Sequence, residues 1–118
     1  MGVSENLKRG VTELVLLSLL AQRDMYGYEM SQELQIRSNG KFLLQESSMY
    51  PTLYRLEDRG YITVTKQQVG KRRTRMYYHL EPCGLEYLQT SLTEYFSMQE
   101  GIRSILESCN INEVEHND

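Results

Sequence analysis

Residues Ser47 to Tyr87 read SSMYPTLYRLEDRGYITVTKQQVGKRRTRMYYHLEPCGLEY. Ser47 or Ser48 is placed to cap a helix, because a serine hydroxyl accepts a bond from a free N–H of the first turn. Pro51 agrees with a start just before it, since a proline in the first turn gives up only a donor that has no helical partner. Met49, Leu53 and Leu56 recur at spacings of four and three on an inward face, which sets Ser48, Thr52 and Arg55 on another. Gly60 is placed to close this helix, Ser48 to Arg59, in a left-handed conformation. Beyond it, Ile62 and Val64 alternate with Thr63 and Thr65, and Met76, Tyr78 and Leu80 alternate with Arg75, Tyr77 and His79. That is the period of two half-buried strands. Between them Gln68 to Thr74 carries Gly70 and the cations Lys71, Arg72 and Arg73, too basic a loop to bury. A capped helix, a basic hairpin and a second helix start, in that order, predict a DNA-reading helix-turn-helix with a wing.

Toward the N-terminus, Val11, Leu14, Val15, Leu16, Leu17, Leu19 and Leu20 predict a first helix over about Lys8 to Gln22, buried on most of its circumference. Gly27 marks a tight connection, and Tyr28, Met30, Leu34 and Ile36 support a short second helix that Ser38, Asn39 and Gly40 end. Toward the C-terminus, Leu85, Leu88, Leu92, Tyr95, Gln99, Ile102, Leu106 and Cys109 follow spacings of 3, 4, 3, 4, 3, 4, 3 from Pro82 onward, with Phe96 and Ile105 widening the stripe. A heptad seam of this kind predicts a helix about 42 Å long at the usual rise per residue, whose seam is met most simply by the same helix of a second subunit. The expected fold is mainly α with a small β-hairpin. A winged helix-turn-helix DNA-binding domain occupies 1–81, a C-terminal dimerisation helix 82–110 and a disordered acidic tail 111–118.

A chain of 118 residues with a 40% hydrophobic share is about the size of one domain, too small for two catalytic ones. No apolar run approaches the roughly 18 residues a membrane span needs, and Met1 to Leu20 lacks the pattern of a secretory signal, so a cytoplasmic protein is expected. Cys83 and Cys109 fall on one predicted helix about 39 Å apart at about 1.5 Å per residue, beyond the reach of a disulfide. The net charge of −3 hides a segregation. Residues 59–80 carry six basic groups and no acidic one, whereas residues 81–118 carry one and eight. Screening confines exposed charges to about 8 Å at physiological salt, so a local basic face decides whether a phosphate backbone docks.

On the helix Ser48 to Arg59, the expected base-reading set is Ser48, Thr52 and Arg55. Arg55 is the member able to make the two-pronged guanine contact worth about 1–3 kcal/mol of discrimination. Tyr50 and Tyr54 offer hydroxyls to phosphates, against the alternative of core tyrosines with wet tips. Lys71, Arg72, Arg73 and Arg75 are expected on phosphate or in the minor groove, since no acidic residue interrupts Arg59 to Leu80, and Lys8 and Arg9 before the first helix are candidate phosphate clamps. Catalysis is not expected. His79 and Cys83 lack a polar sequence neighbour to orient the histidine, two histidines and two cysteines show no zinc spacing, and no glycine-rich phosphate loop appears. No metal or cofactor is implied.

With these residues in place the sequence resembles the PadR family of bacterial transcriptional regulators. The similar features are Gly27-Tyr28-Glu29, then Ser48-Met49-Tyr50-Pro51-Thr52-Leu53 with Arg55-Leu56-Glu57 and Gly60, then Arg75-Met76-Tyr77-Tyr78-His79-Leu80 with Gly84. One departure is Glu81-Pro82 where the family usually has threonine after the wing leucine; glutamate caps less well, while a proline at the first helical position compensates. The resemblance implies a homodimer, of the short form with a single C-terminal helix, that represses a palindromic operator on double-stranded DNA and is released by a small molecule or another signal. Some relatives hold flat aromatic drugs between tryptophans at the dimer interface, and others respond to phenolic acids. This chain has no Trp, so a small aromatic effector would meet Tyr95 and Phe96 instead. A second reading, of another class, is a protein-interaction module whose long acidic helix docks a different protein.

Overall fold

The computed structural model describes residues 7–110 of the chain, so the expected tail at 111–118 lies outside the described residues. The elements are α1 (Thr12–Leu20), α2 (Gly27–Arg37), α3 (Glu46–Asp58), β1 (Ile62–Gln68), β2 (Thr74–Leu80) and α4 (Pro82–Cys109). The chain divides into two compact units, one ending at Leu88 and one beginning at Gln89. The predicted mainly helical order with one hairpin is the observed order.

The first unit is built on an apolar centre to which every element contributes. Leu16 and Leu17 of α1, Met30 of α2, Met49, Leu53 and Leu56 of α3 and Ile62 of β1 are all fully buried, joined by Met25 from the α1–α2 connection. α1 is shorter than its apolar run. Residues 7–9 form a separate helical turn, Gly10 and Val11 break it, and Thr12 then resumes, its hydroxyl donating to the Lys8 carbonyl at 2.9 Å. α2 begins where the Tyr26 N–H donates to the Glu29 carboxylate at 3.1 Å, and Arg23 pairs with the same side chain at 3.1 Å. It ends in a paired C-terminal motif. Asn39 takes a positive φ of 54°, its N–H bonds Ile36, and the Gly40 N–H reaches back to Gln35.

The connection from α2 to α3 is pinned by side chains. Ser31 donates to the Leu44 carbonyl at 3.0 Å, the Phe42 N–H donates to Ser38 Oγ at 2.9 Å, and Lys8 Nζ donates to the Leu43 carbonyl at 2.6 Å. α3 starts two residues before the predicted serine cap. Gln45 is the N-cap in extended geometry, and its carbonyl receives the Met49 N–H, so Ser47 and Ser48 lie inside the first turn. Glu46 at the first helical position suits the positive end of the helix dipole. Pro51 therefore sits at the sixth helical position, past the first turn, where it removes the bond to the carbonyl of Ser47, an exposed residue that water can reach. The helix closes as predicted. Gly60 has φ +80°, its N–H bonds Glu57, and the Tyr61 N–H bonds Leu56, the two bonds of a Schellman cap.

β1 and β2 pair antiparallel in the register Ile62 with Leu80 through Gln68 with Thr74. Met25 bridges Tyr78 with two backbone bonds, Tyr78 N–H to Met25 at 2.9 Å and the return at 3.3 Å, so the α1–α2 connection edges the hairpin. Burial is confined to the base. Ile62 and Tyr78 are covered, whereas Met76, expected on the buried face, is 40% exposed.

The opening of α4 belongs to the first unit. Gly84 is buried against the turn after α3, where a Cβ would fall on the Tyr61 carbonyl, so only glycine allows this approach. Tyr87 stacks on Tyr61 at 4.3 Å and donates to Glu13 at 2.7 Å, and Glu13 also pairs with Arg59 at 3.7 Å. Leu88 is 3% exposed. It fills the core of the winged unit, which corrects its expected place on a free dimerisation seam. In the second unit Phe96, Met98, Ile102, Ile105 and Leu106 are exposed, with Tyr95 edge-on to Phe96 at 5.4 Å. No helix among the described residues is long and apolar enough to cross a membrane.

Candidate nucleic-acid interface

The exposed face of α3 is set by what the opposite face buries. Met49, Thr52, Leu53 and Leu56 are buried, at spacings of three, one and three. Thr52, at 5% exposure, is thus on the inward side, a correction to the expected outward set. Its threonine methyl suits an apolar position, and its hydroxyl accepts a bond from Arg55 Nη2 at 3.1 Å. The outward face runs instead through Ser47, Pro51, Tyr54, Arg55 and Asp58, with Ser48 beside it, all exposed. Ser47 was missed as a surface candidate because the helix start was set at the serines rather than at Glu46, the first-turn acid that signals it.

The two tyrosines of α3 separate. Tyr54 is 64% exposed and its hydroxyl is free to meet a phosphate. The Tyr50 hydroxyl donates to Glu46 Oε2 at 3.1 Å and faces Gly27, where any Cβ would lie 2.9 Å from it. Burial, and then the Glu46 carboxylate, raise the Tyr50 pKa above the usual value. Tyr50 therefore acts at the junction of α2 and α3, which corrects its expectation as a phosphate donor, and Gly27 leaves room there for the Tyr50 hydroxyl and for the Glu46 carboxylate. Tyr78 is likewise internal, 2% exposed, with burial pushing its pKa up to about 12.

The wing tip presents its cations as predicted. A turn closed by the Val69 N–H on the Arg73 carbonyl at 2.8 Å, with Gly70 at φ +87°, leaves Lys71, Arg72 and Arg73 exposed. No carboxylate lies within ion-pair distance of these three among the described residues, whereas Arg23, Arg37 and Arg59 elsewhere are paired with glutamates. Unpaired cations at a projecting tip are available to neutralise phosphates at little cost in broken ion pairs. Arg75 differs. It is half-buried, with its guanidinium 4.3 Å from the centre of the Tyr26 ring, and Tyr26 in turn meets Tyr77 edge-on at 5.3 Å and Tyr28 at 6.5 Å. Lys8 is drawn into the loop before α3 by its bond to Leu43 and lies 6.0 Å from the Phe42 ring, so its ammonium has a structural role beside the phosphate role expected of it; Arg9 is exposed.

At the wing base, His79 Nδ1 lies 2.8 Å from Asp24 Oδ1 and Nε2 lies 4.0 Å from Glu81, which also accepts from Thr63 at 2.8 Å. Asp24 thus orients His79 from 55 positions away in the chain, a partner that no sequence neighbour announced. Its hydrogen bond raises the His79 pKa above the ordinary imidazole value, against an opposing effect of burial. Cys83 Sγ contacts the Gly60 carbonyl at 3.2 Å, so the pair His79 and Cys83 is not assembled for nucleophilic chemistry. A shallow cleft of about 420 Å³ opens beside these groups, lined by Ala21, Arg23, Asp24, Glu81, Leu85 and others. Among the described residues no His, Cys, Asp and Glu cluster suits a metal.

This geometry has close counterparts. A transcriptional regulator from Clostridium thermocellum superposes with a TM-score of 0.77 at 30% identity, over 87% of this chain and 97% of that one. PadR of Bacillus subtilis, solved in complex with operator DNA, superposes with a TM-score of 0.65 at 26% identity, over 70% of this chain and 47% of that one. The transcriptional regulator YqjI of Escherichia coli is 25% identical over 80% of this chain, which spans 44% of YqjI. Residues 16–90 match the transcriptional regulator PadR-like family, a segment that runs from the middle of α1 through the wing to the start of α4, and the chain belongs to that family of regulators rather than to the enzymes.

Proposed function

We propose that the chain is a sequence-specific, homodimeric repressor that binds a palindromic operator in the cytoplasm and is released by a small molecule or another signal. The observation that carries the reading is the joint exposure, on one compact unit, of the outer face of α3 and an unpaired cationic wing tip. Ser48, Tyr54 and Arg55 enter the major groove with Ser47, and Lys71, Arg72 and Arg73 take phosphate or the minor groove beside it. The complex of PadR of Bacillus subtilis with operator DNA supports operator binding as the function. Dimerisation falls to the seam of α4 beyond the core, the apolar Leu92, Tyr95, Phe96, Ile102 and Leu106 with the polar Gln99 filling one place, because a large exposed apolar stripe on a regulator is a protein interface. Tyr95 and Phe96 offer ring surface there to a small aromatic effector.

The test is binding to a palindromic fragment from upstream of the chain's own gene at two salt concentrations. Tight binding that weakens steeply with salt is expected, and no binding even at low salt overturns the DNA reading.

A further inference from the structure

The wing is held at its base and nearly free beyond it. Ile62, Tyr78 and the Met25 bridge fix the lower half, while Thr65, Lys66, Gln67 and Gln68 of β1 and Thr74 of β2 are all exposed. Arg75, paired across the sheet with Gln67, is the one cation of this outer half that a ring contact ties to the helices among the described residues, with Tyr77, paired with Thr65, beside it. Its guanidinium lies over Tyr26, the N-cap residue of α2, whose backbone is itself fixed by Glu29. Tyr77, from the same strand, meets that ring edge-on at 5.3 Å. A guanidinium over an aromatic face is held by the ring quadrupole, and its planar shape restricts it to that seat.

We infer that Arg75 is a positioning residue: stacked on Tyr26, it sets the wing against the helix-turn-helix so that Lys71, Arg72 and Arg73 reach phosphate together. This rests on the DNA-binding reading above. It assigns to Tyr26, which carries no charge, a share of the electrostatic part of binding. A wing released at Arg75 samples many angles, and its three tip cations then neutralise fewer phosphates in the bound state.

Tyr26→Leu, Tyr26→Phe and Arg75→Gln, alone and with Tyr26→Leu and Arg75→Gln combined, are measured for operator affinity over a salt series. Tyr26→Leu is expected to weaken binding about fivefold and to flatten the log–log salt slope although it removes no charge. Tyr26→Phe, which keeps the ring, leaves both unchanged, and the combined variant is no weaker than Arg75→Gln alone, as residues acting through one contact are non-additive. A parental slope in Tyr26→Leu, with Arg75→Gln losing about 0.9 of a unit as for one phosphate contact, overturns the inference and leaves the DNA reading standing. Amide exchange of residues 66–74 in the free protein supplies a readout without DNA. Faster exchange in Tyr26→Leu and Arg75→Gln but not in Tyr26→Phe is expected, and equal exchange in all of them overturns the positioning role even if the operator reading also fails.

Discussion

Arg55 reaches the outer face of α3 already oriented, because Thr52, one turn earlier and buried, accepts a bond from its Nη2 at 3.1 Å. A guanidinium held in this way loses less side-chain entropy when it docks on a guanine edge. The sequence reading placed Arg55 on the outer face of this helix, where it lies, but put Thr52 beside it as a second reader. Three-residue spacing alone does not separate a side chain that points outward from one at the margin of the buried stripe. Arg55→Ala is expected to cost about 1–3 kcal/mol of discrimination at one base pair. Thr52→Val keeps the shape and removes the hydroxyl, so it should lower discrimination at that same base pair by a smaller amount. Competition binding with operators changed one base pair at a time checks both, and a Thr52→Val that affects a different position would show that the threonine does not act through Arg55.

The elements were legible where one local signal sufficed. The turn at Gly60, the two paired strands of the hairpin and the long helix from Pro82 all appear as read. The errors lie where two signals competed, as at α3, where serines that commonly cap stand after a glutamate that opens the helix, and at α1, where Gly10 interrupts an otherwise helical run. Contacts between distant segments were out of reach of any local pattern, and the wing base shows this best. His79 of β2 pairs with Asp24 of the α1–α2 connection at 2.8 Å, with Glu81 at 4.0 Å on its other nitrogen. Asp24 raises the His79 pKa, so the charged imidazolium is favoured by folding. Its contribution is fully present below the unfolded value, about 6.5, and is lost as pH rises through the higher folded value. Asp24→Asn should therefore destabilise the protein most at mildly acidic pH, where the imidazolium is formed, and hardly at all in the alkaline range. Urea midpoints across the pH range test the sign, and the His79 ring proton signals should titrate above the ordinary value in the parent and closer to it in Asp24→Asn. A larger deficit at alkaline pH than at acidic pH would rule this linkage out.

At the scale of the molecule, α4 serves two environments in one run of sequence. A regular heptad hides the division, since Leu88 and Ile102 occupy equivalent places in the repeat and only packing tells them apart. Up to Leu88 the helix completes the winged core, with Gly84 against Tyr61 and Leu88 at 3% exposure, while Phe96, Ile102 and Leu106 are 58%, 48% and 43% exposed. Substitution on the later positions should therefore separate assembly from folding. Ile102→Glu with Leu106→Glu keeps good helix formers at both sites but places four carboxylates across a two-fold interface. The parent is expected to sediment as a dimer and the double variant as a monomer, with the thermal unfolding of the winged unit retained. Operator affinity should fall sharply in the variant, because a monomer engages a single half-site and loses the gain from linking two. A parent that sediments as a monomer, or a double variant that stays dimeric, removes α4 as the dimerisation element and returns its acidic, apolar-striped surface to a different protein partner.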